Sequence, residues 1–226
     1  SEVAEKIFSE KPRFDHIQLV STSLQESEWT LKWDPQNATD VNEVLEQIPF
    51  EKDDIVIIAM GYLGGPNLLE KPKFNLQEIE KVIRINFAIP LLVLMGTSEK
   101  LSKVGGGKII VMTSSAAFPV LDTNLVYGTA KRNLDYLTLH LSRTLRKSNV
   151  NISVIRSGFV PTKLNYGRKP TPFAITADQV AKIVAKKIGS KIIWTPTIFK
   201  FISLSLTWIP LMKKFASKKV KASWDQ

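Results

Sequence analysis

Tyr127 and Lys131 stand four residues apart in Val126-Tyr-Gly-Thr-Ala-Lys131, downstream of the pair Ser114-Ser115. Positions i and i+4 of a helix share one face, so this spacing sets an ammonium beside a phenol. A free phenol has a pKa of about 10 and is a poor acid–base catalyst at neutral pH. A neighbouring positive charge favours the phenolate and brings that value down. A serine hydroxyl can hold a substrate oxygen while the tyrosine passes it a proton. Together the three side chains suit the reduction of a ketone, or the oxidation of an alcohol in reverse.

Such residues need a frame to hold them. Lys108-Ile-Ile-Val-Met-Thr113 is short and apolar and follows the Gly105-Gly106-Gly107 turn, which reads as a buried strand. Ser114 and Ser115 fall at its carboxyl end, the edge outside which ligands bind in a doubly wound sheet. Val126–Lys147 carries apolar residues at helical spacing. Strand-like and helix-like segments alternate along the chain, which points to a Rossmann-like doubly wound parallel sheet of the α/β class. Strands are expected at Asp15–Ser21, Trp29–Trp33, Ile55–Met60, Lys108–Thr113, Asn151–Ile155 and Lys191–Trp194. Helices are expected at Ser1–Ser9, Asp40–Gln47, Leu76–Lys100, Val126–Lys147 and Thr176–Ile188. Thr176 with Gln179 makes a capping box, and Gly189 a helix stop. Residues 1–196 read as one Rossmann-type domain. Residues 197–226 are an apolar and then lysine-rich segment of that same domain.

The beginning departs from this frame. A full dinucleotide-binding unit opens with a strand and a glycine-rich turn. Ser1-Glu-Val-Ala-Glu-Lys instead reads as the end of that turn and the first helix. The expected sheet therefore lacks its first strand and glycine-rich turn. Either a leader precedes Ser1, or the chain cannot form an ordinary cofactor site. A central parallel strand is costly to remove because its neighbours lose their hydrogen-bond partners, which favours a leader.

Composition narrows the classes. The 226 residues are 44% hydrophobic, enough for a packed core in a single domain. There is no cysteine, hence no disulfide, thiolate nucleophile or cysteine metal site. With no secretory signal visible at the start, a cytoplasmic protein is expected. His16 and His140 are isolated and show no metal-ligand spacing, so no metal is expected. The five tryptophans read as packing residues.

The order of these features resembles the short-chain dehydrogenase/reductase superfamily over essentially the whole chain. Asn86, in Arg84-Ile-Asn86-Phe, matches the asparagine that supports a water relay to the lysine in that family. Ser157-Gly-Phe-Val-Pro-Thr162 matches the loop that receives the nicotinamide carboxamide, with Ser157 in place of the usual proline. The resemblance thus implies cofactor contacts at Gly158, Val160 and Thr162, and at Lys131 through the nicotinamide ribose. Of the two serines it favours Ser115, although Ser115 lies one residue closer to Tyr127 than is usual; Ser114 remains the alternative.

Asp34, after a strand, matches the family aspartate near the adenine, or else caps a turn before Pro35. Gly61 follows the next strand in Ile58-Ala-Met-Gly61, where the family carries asparagines, and permits close approach of the backbone to a cofactor. Ser21-Thr22-Ser23 ends a strand without the acid that holds the NAD ribose, so NADP is expected, with NAD possible through the same hydroxyls.

Within the superfamily, Ser114-Ser-Ala-Ala117, Asn124-Leu-Val-Tyr-Gly128, Val154-Ile-Arg156, Ile193-Trp-Thr-Pro196 and Trp208-Ile-Pro210 resemble the decaprenylphosphoryl-2-keto-pentose reductases. In that subfamily Ser1-Glu2-Val3-Ala4 matches the end of the glycine-rich turn, which makes Ser1 a cofactor contact. The resemblance implies NADPH-dependent reduction of a lipid-linked keto sugar in cell-wall precursor synthesis, beside a partner oxidase and within a homo-oligomer. A soluble ketone or sugar is the alternative substrate. A catalytically silent binding or scaffold protein is the alternative of a different class.

Charge adds one expectation. The net charge is +10, and Lys182 to Gln226 carries ten lysines against Asp225 alone. Thr197–Met212 holds one charge, Lys200, and is shorter than the roughly 20 residues a spanning helix needs. An apolar stretch beside a basic cluster suits attachment to an anionic membrane surface. The plainer reading packs Ile198–Leu211 on the body as a cover and leaves the lysines solvated. No aromatic–basic interleaving accompanies the lysines, which argues against nucleic acid.

Overall fold

The computed structural model describes residues 2–9, 19–21, 30–34, 41–64, 75–118 and 125–208. In chain order the elements are α1 (Glu2–Ser9), β1 (Leu19–Ser21), β2 (Thr30–Lys32), α2 (Val41–Glu46), β3 (Ile55–Ile58), α3 (Leu76–Ile83), a π-helical turn (Arg84–Ala88) and α4 (Ile89–Lys103). Then come β4 (Gly107–Ser114), α5 (Leu125–Thr144), β5 (Val150–Ser157), α6 (Ala177–Lys187), β6 (Ile192–Thr195) and α7 (Phe199–Trp208). Among the described residues every strand pairing is parallel, with β3-β4-β5-β6 in one sheet and β1-β2 in another. The α/β, Rossmann-like architecture read from the alternating pattern is the one observed. Among the described residues no strand joins β1 to β3.

The period of two along the strands sorts the core into two layers. Ile109 and Val111 of β4 and Ile152 of β5 pack with Leu94 and Leu101 of α4 and Leu134 of α5. Ile110 and Ile155 face the other way, onto Val3 and Ile7 of α1 and Val180 and Val184 of α6. Each of these side chains is nearly or fully buried. Complete burial of one such aliphatic group is worth about 1.5–3 kcal/mol.

Local chemistry sets the boundaries. Thr176 accepts from the Gln179 N–H, and the Gln179 side chain accepts from the Thr176 N–H, so the predicted capping box starts α6. Gly189, at φ 97°, follows its end. The helix expected over Leu76–Lys100 is broken in the middle. Pro90 has no N–H to bond the carbonyl four residues back, and its ring crowds that carbonyl. The chain widens to a π turn instead, closed by Ile89 N–H on the Arg84 carbonyl. A seventh helix, α7, lies where only an apolar segment was expected, and it packs against β6. The lysine cluster from Lys213 onward lies outside the described residues, as do Ser1 and Thr22.

Candidate active site

Helix α5 turns one stripe of residues to the sheet: Tyr127, Ala130, Lys131, Leu134, Asp135, Thr138 and Ser142. These recur at the three- and four-residue steps of a helix face. Unusually for such a face, half of the stripe can do chemistry. Tyr127 is 7% exposed and Lys131 2%.

The phenol of Tyr127 is held protonated. Burial, the largest effect, raises its pKa above the ordinary value. A hydrogen bond from the Ser114 side chain and the positive charge of Arg168 oppose that rise by favouring the phenolate. The serine that acts on the phenol in this structure is thus Ser114, the alternative of the two. The reason lies in the strand end. The β4 ladder runs on through Ser114, which pairs with Ser157, whereas Ser115 begins the turn. Ser114 Oγ also accepts from the Ala116 N–H at 3.1 Å, and Ser115 is held through its backbone, N–H to the Ser157 carbonyl at 2.7 Å.

Lys131 reaches across the sheet. Its Nζ donates to the Met60 carbonyl at 2.7 Å, beyond β3, and to the Met112 carbonyl in β4 at 3.4 Å. Burial pulls its pKa down to about 7. At that value it is about half charged near neutral pH, and Ser114 and Arg168 favour the phenolate beside it. Two donors are engaged; an ammonium has three.

Asn86 is fully buried in the π turn. Its amide nitrogen donates to the carbonyls of Tyr62 at 2.6 Å and Val82 at 2.8 Å, and its oxygen accepts from the Tyr62 N–H at 3.1 Å. The side chain is therefore a clamp between the turn and the Gly61–Tyr62 segment. Asn86 and Lys131 meet through that segment, one at Tyr62 and the other at Met60.

Behind the reaction edge sits an ion pair that the sequence reading missed. Arg156 of β5 forks onto Asp135, at 2.9 Å through Nε and 2.7 Å through Nη2. Asp135 also accepts from the Thr113 hydroxyl at 3.1 Å. Arg156 lies 4.0 Å from the centre of the Phe118 ring and 5.0 Å from that of Trp194. One carboxylate thus locks α5 to β4 and β5 one turn beyond Lys131. Part of the signal was available, since Asp135 follows Lys131 by the same four residues that separate Lys131 from Tyr127, but its partner on β5 was not.

The segment after β5 closes over this edge. Gly158 N–H bonds the Thr195 carbonyl at 2.7 Å, and a Cβ on Gly158 would collide with the ring of Phe199. Val160 is buried in the core layer with α1 and α6, and its carbonyl accepts from the Thr162 N–H at 2.9 Å. Thr162 precedes a short 3-10 turn, Lys163–Asn165. Leu164 of that turn lies 3.3 Å from where a Cβ on Gly61 would stand.

The remaining expected cofactor contacts sit at strand ends. Ser21 closes β1, Asp34 follows β2 by two residues and is half-buried, and Gly61 follows β3 by three. Lys131, Gly61, Gly158 and Thr162 thus gather at the carboxyl ends of β3, β4 and β5, where a doubly wound sheet takes its ligand. A lysine amine, backbone at two glycines and a threonine hydroxyl there suit the nicotinamide ribose end of a dinucleotide. Ser21 and Asp34 stand at the ends of the separate pair of strands.

Comparison with known proteins agrees with this geometry. The short chain dehydrogenase family model matches residues 10–172. The chain belongs to that family, whose members are NAD(P)-dependent oxidoreductases. An uncharacterized oxidoreductase of Mycobacterium tuberculosis is 25% identical over 156 residues, 68% of this chain and 61% of the relative. Another, of Staphylococcus epidermidis, is 27% identical over 144 residues, 64% of this chain and 58% of the relative. The chain thus spans about three fifths of the length of these curated relatives. Among solved structures, a short chain dehydrogenase from Burkholderia cenocepacia in complex with NADP superposes with a TM-score of 0.76 at 15% identity, covering 96% of this chain and 91% of that one. At that identity the likeness is one of fold.

Proposed function

We propose that the protein is an NADPH-dependent ketoreductase whose substrate is a lipid-linked keto sugar, the 2-keto group of a polyprenylphosphoryl pentose. One observation carries the reductase reading: a buried phenol on the helix face that also carries Lys131, with a serine and an arginine that favour its anion once the proton leaves. That is what a proton donor to a ketone requires.

NADPH supplies the hydride when bound, and the chain's own residues do the rest. Ser114 polarises the carbonyl, and Tyr127 gives its proton to the carbonyl oxygen. In its protonated form Lys131, with two donors on Met60 and Met112, keeps a third for a ribose hydroxyl and holds the nicotinamide end in place. The Asn86 carbonyl has no donor four residues on, because residue 90 is proline, and so can order the water through which Tyr127 is reprotonated. General acid–base catalysis of this kind is worth about 10²–10⁴-fold, and the remainder comes from holding the reactants together. Gly61, Gly158, Val160 and Thr162 would line the nicotinamide side. Ser1, Ser21, Thr22 and Asp34 would line the adenosine side. The Burkholderia neighbour's NADP and the acid-free Ser21-Thr22-Ser23 both favour NADP.

The keto sugar reading rests on the subfamily resemblance and on the apolar surface at the end of the chain. Ile198 and Phe201 are 45% and 63% exposed, next to a lysine-rich stretch in the sequence. That combination suits peripheral attachment to an anionic membrane, where such a substrate resides. No described helix is long and apolar enough to cross a membrane. A partner oxidase and a homo-oligomer belong to the same reading. The plainer alternative has its own support, since Phe199 at the start of α7 packs on Gly158 and edge-on against Phe173, 6.3 Å between centres, as a pocket cover would. Turnover with NADPH of decaprenylphosphoryl-2-keto-ribose, against a panel of soluble ketones and sugars, tests the assignment. Preference for a soluble ketone overturns the lipid-linked substrate, and no turnover of any ketone favours a silent binding protein.

A further inference from the structure

The loop after β5 brings a second cation to the reaction edge. Arg168 Nη1 donates to Asn165 Oδ1 at 2.9 Å, and Asn165 Nδ2 donates in turn to the Val160 carbonyl at 2.9 Å. Arg168 N–H bonds the Asn165 carbonyl at 3.1 Å, and the guanidinium lies 5.6 Å from the centre of the Phe159 ring. The neighbouring Leu164 presses toward Gly61 on the far side of the edge. The guanidinium is therefore built into the segment that closes the site. It is also near enough to Tyr127 for each group's charge to act on the other.

Half-burying an arginine beside a general acid costs solvation, and its charge there favours the Tyr127 anion as well as any anion brought beside it. A guanidinium is a planar fork of donors matched to a phosphate or a carboxylate, and it pairs most strongly with an oxyanion in a partly dry site. We propose that Arg168 anchors a phosphate group of the substrate within a few bonds of the carbonyl, so that the site selects phosphorylated keto compounds. This rests on the ketoreductase reading and deepens it. A polyprenylphosphoryl 2-ketopentose carries its phosphodiester on the carbon next to the ketone, and a soluble sugar phosphate would satisfy the same chemistry.

The test measures kcat/KM with NADPH for dihydroxyacetone phosphate and for dihydroxyacetone, in the full chain and in Arg168→Gln and Arg168→Lys. Wild type should favour the phosphorylated ketone by about tenfold to a hundredfold, the span of a charged hydrogen bond. Arg168→Gln should collapse that ratio toward one through KM for the phosphorylated ketone, and Arg168→Lys should restore part of it. A ratio unchanged by Arg168→Gln, or a rise in KM for NADPH alone, overturns the assignment. A short-chain polyprenylphosphoryl ketopentose then separates a lipid diester from a soluble monoester as the source. Should wild type reduce neither ketone, the reductase reading fails by itself. Arg168 is then judged by calorimetry with inorganic phosphate: binding lost in Arg168→Gln supports the anchor, and no binding by wild type overturns it.

Discussion

The two sheets of the molecule carry different kinds of work. In the four-stranded sheet, β4 and β5 pair over eight residues, Gly107 to Ser114 against Val150 to Ser157, and both faces are covered by helices. Tyr127, Ser114, Lys131 and Asn86 are all buried against or beside it. In the two-stranded sheet, β1 and β2 pair over three residues, and the only expected contacts are hydroxyls and Asp34 for the adenosine end. Chemistry needs side chains fixed to fractions of an ångström, so it sits where packing and ladders overdetermine position. Cofactor choice needs only the right charge near a strand end, and a short strand suffices.

Perturbing the large sheet should therefore cost stability or rate, whereas perturbing the small one should change preference alone. The largest stability effect is expected at Asp135→Ala, which strands Arg156 without its carboxylate. Breaking a buried pair costs about 3–5 kcal/mol. Urea unfolding reads it, and a loss below about 1 kcal/mol would show that Asp135 does not lock α5 to the sheet.

Lys131→Met gives the next effect, and pH supplies its sign. The folded-state pKa of Lys131 is depressed to about 7 from 10.5, so the unfolded chain binds the extra proton between those values. Wild-type stability relative to Lys131→Met should rise as pH goes from 7 to 10. A difference that stays flat across that window would mean that burial does not depress the Lys131 pKa.

The serines refine the picture further. Ser114→Ala should lower kcat by about tenfold or more, as loss of one donor to a reacting oxygen does, while Ser115→Ala should change it less than threefold. The reverse order would return the role to Ser115.

The small sheet should give the smallest effect. Thr22→Asp places a carboxylate next in sequence to Ser21, where the proposed cofactor site predicts repulsion of a ribose phosphate. Fluorescence titration should show preference shifting toward NADH by about tenfold with stability unchanged. An unaltered NADPH preference would detach Thr22 from cofactor choice.

Much of this division was legible in the residue pattern, for physical reasons. β3 to β6 are apolar runs bounded by turn residues, and each was found to within a few residues. α5 announced itself through the stripe that carries Tyr127 and Lys131. The π turn was not found, because hydrophobic periodicity continues through Arg84–Ala88 and only Pro90 betrays the break. α7 was read as an apolar tail. The pairing of Asp135 with Arg156 joins residues 21 apart, a distance that no local period reports. Arg168 lies in a loop, where side-chain direction follows from the fold alone. The preference for Ser115 followed the family's serine pair, and the extension of β4 through Ser114 was not visible in the apolar run.

The central claim is that the buried phenol of Tyr127 is the proton donor of a ketone reduction. Tyr127→Phe removes that proton and keeps the ring, so it separates chemistry from packing. Turnover of a ketone with NADPH, measured beside the urea midpoint of the same protein, tests it most directly. The account predicts a fall of at least about 100-fold in kcat with the midpoint nearly unchanged. A Tyr127→Phe protein that keeps near-normal turnover on the substrate of the wild type would contradict it.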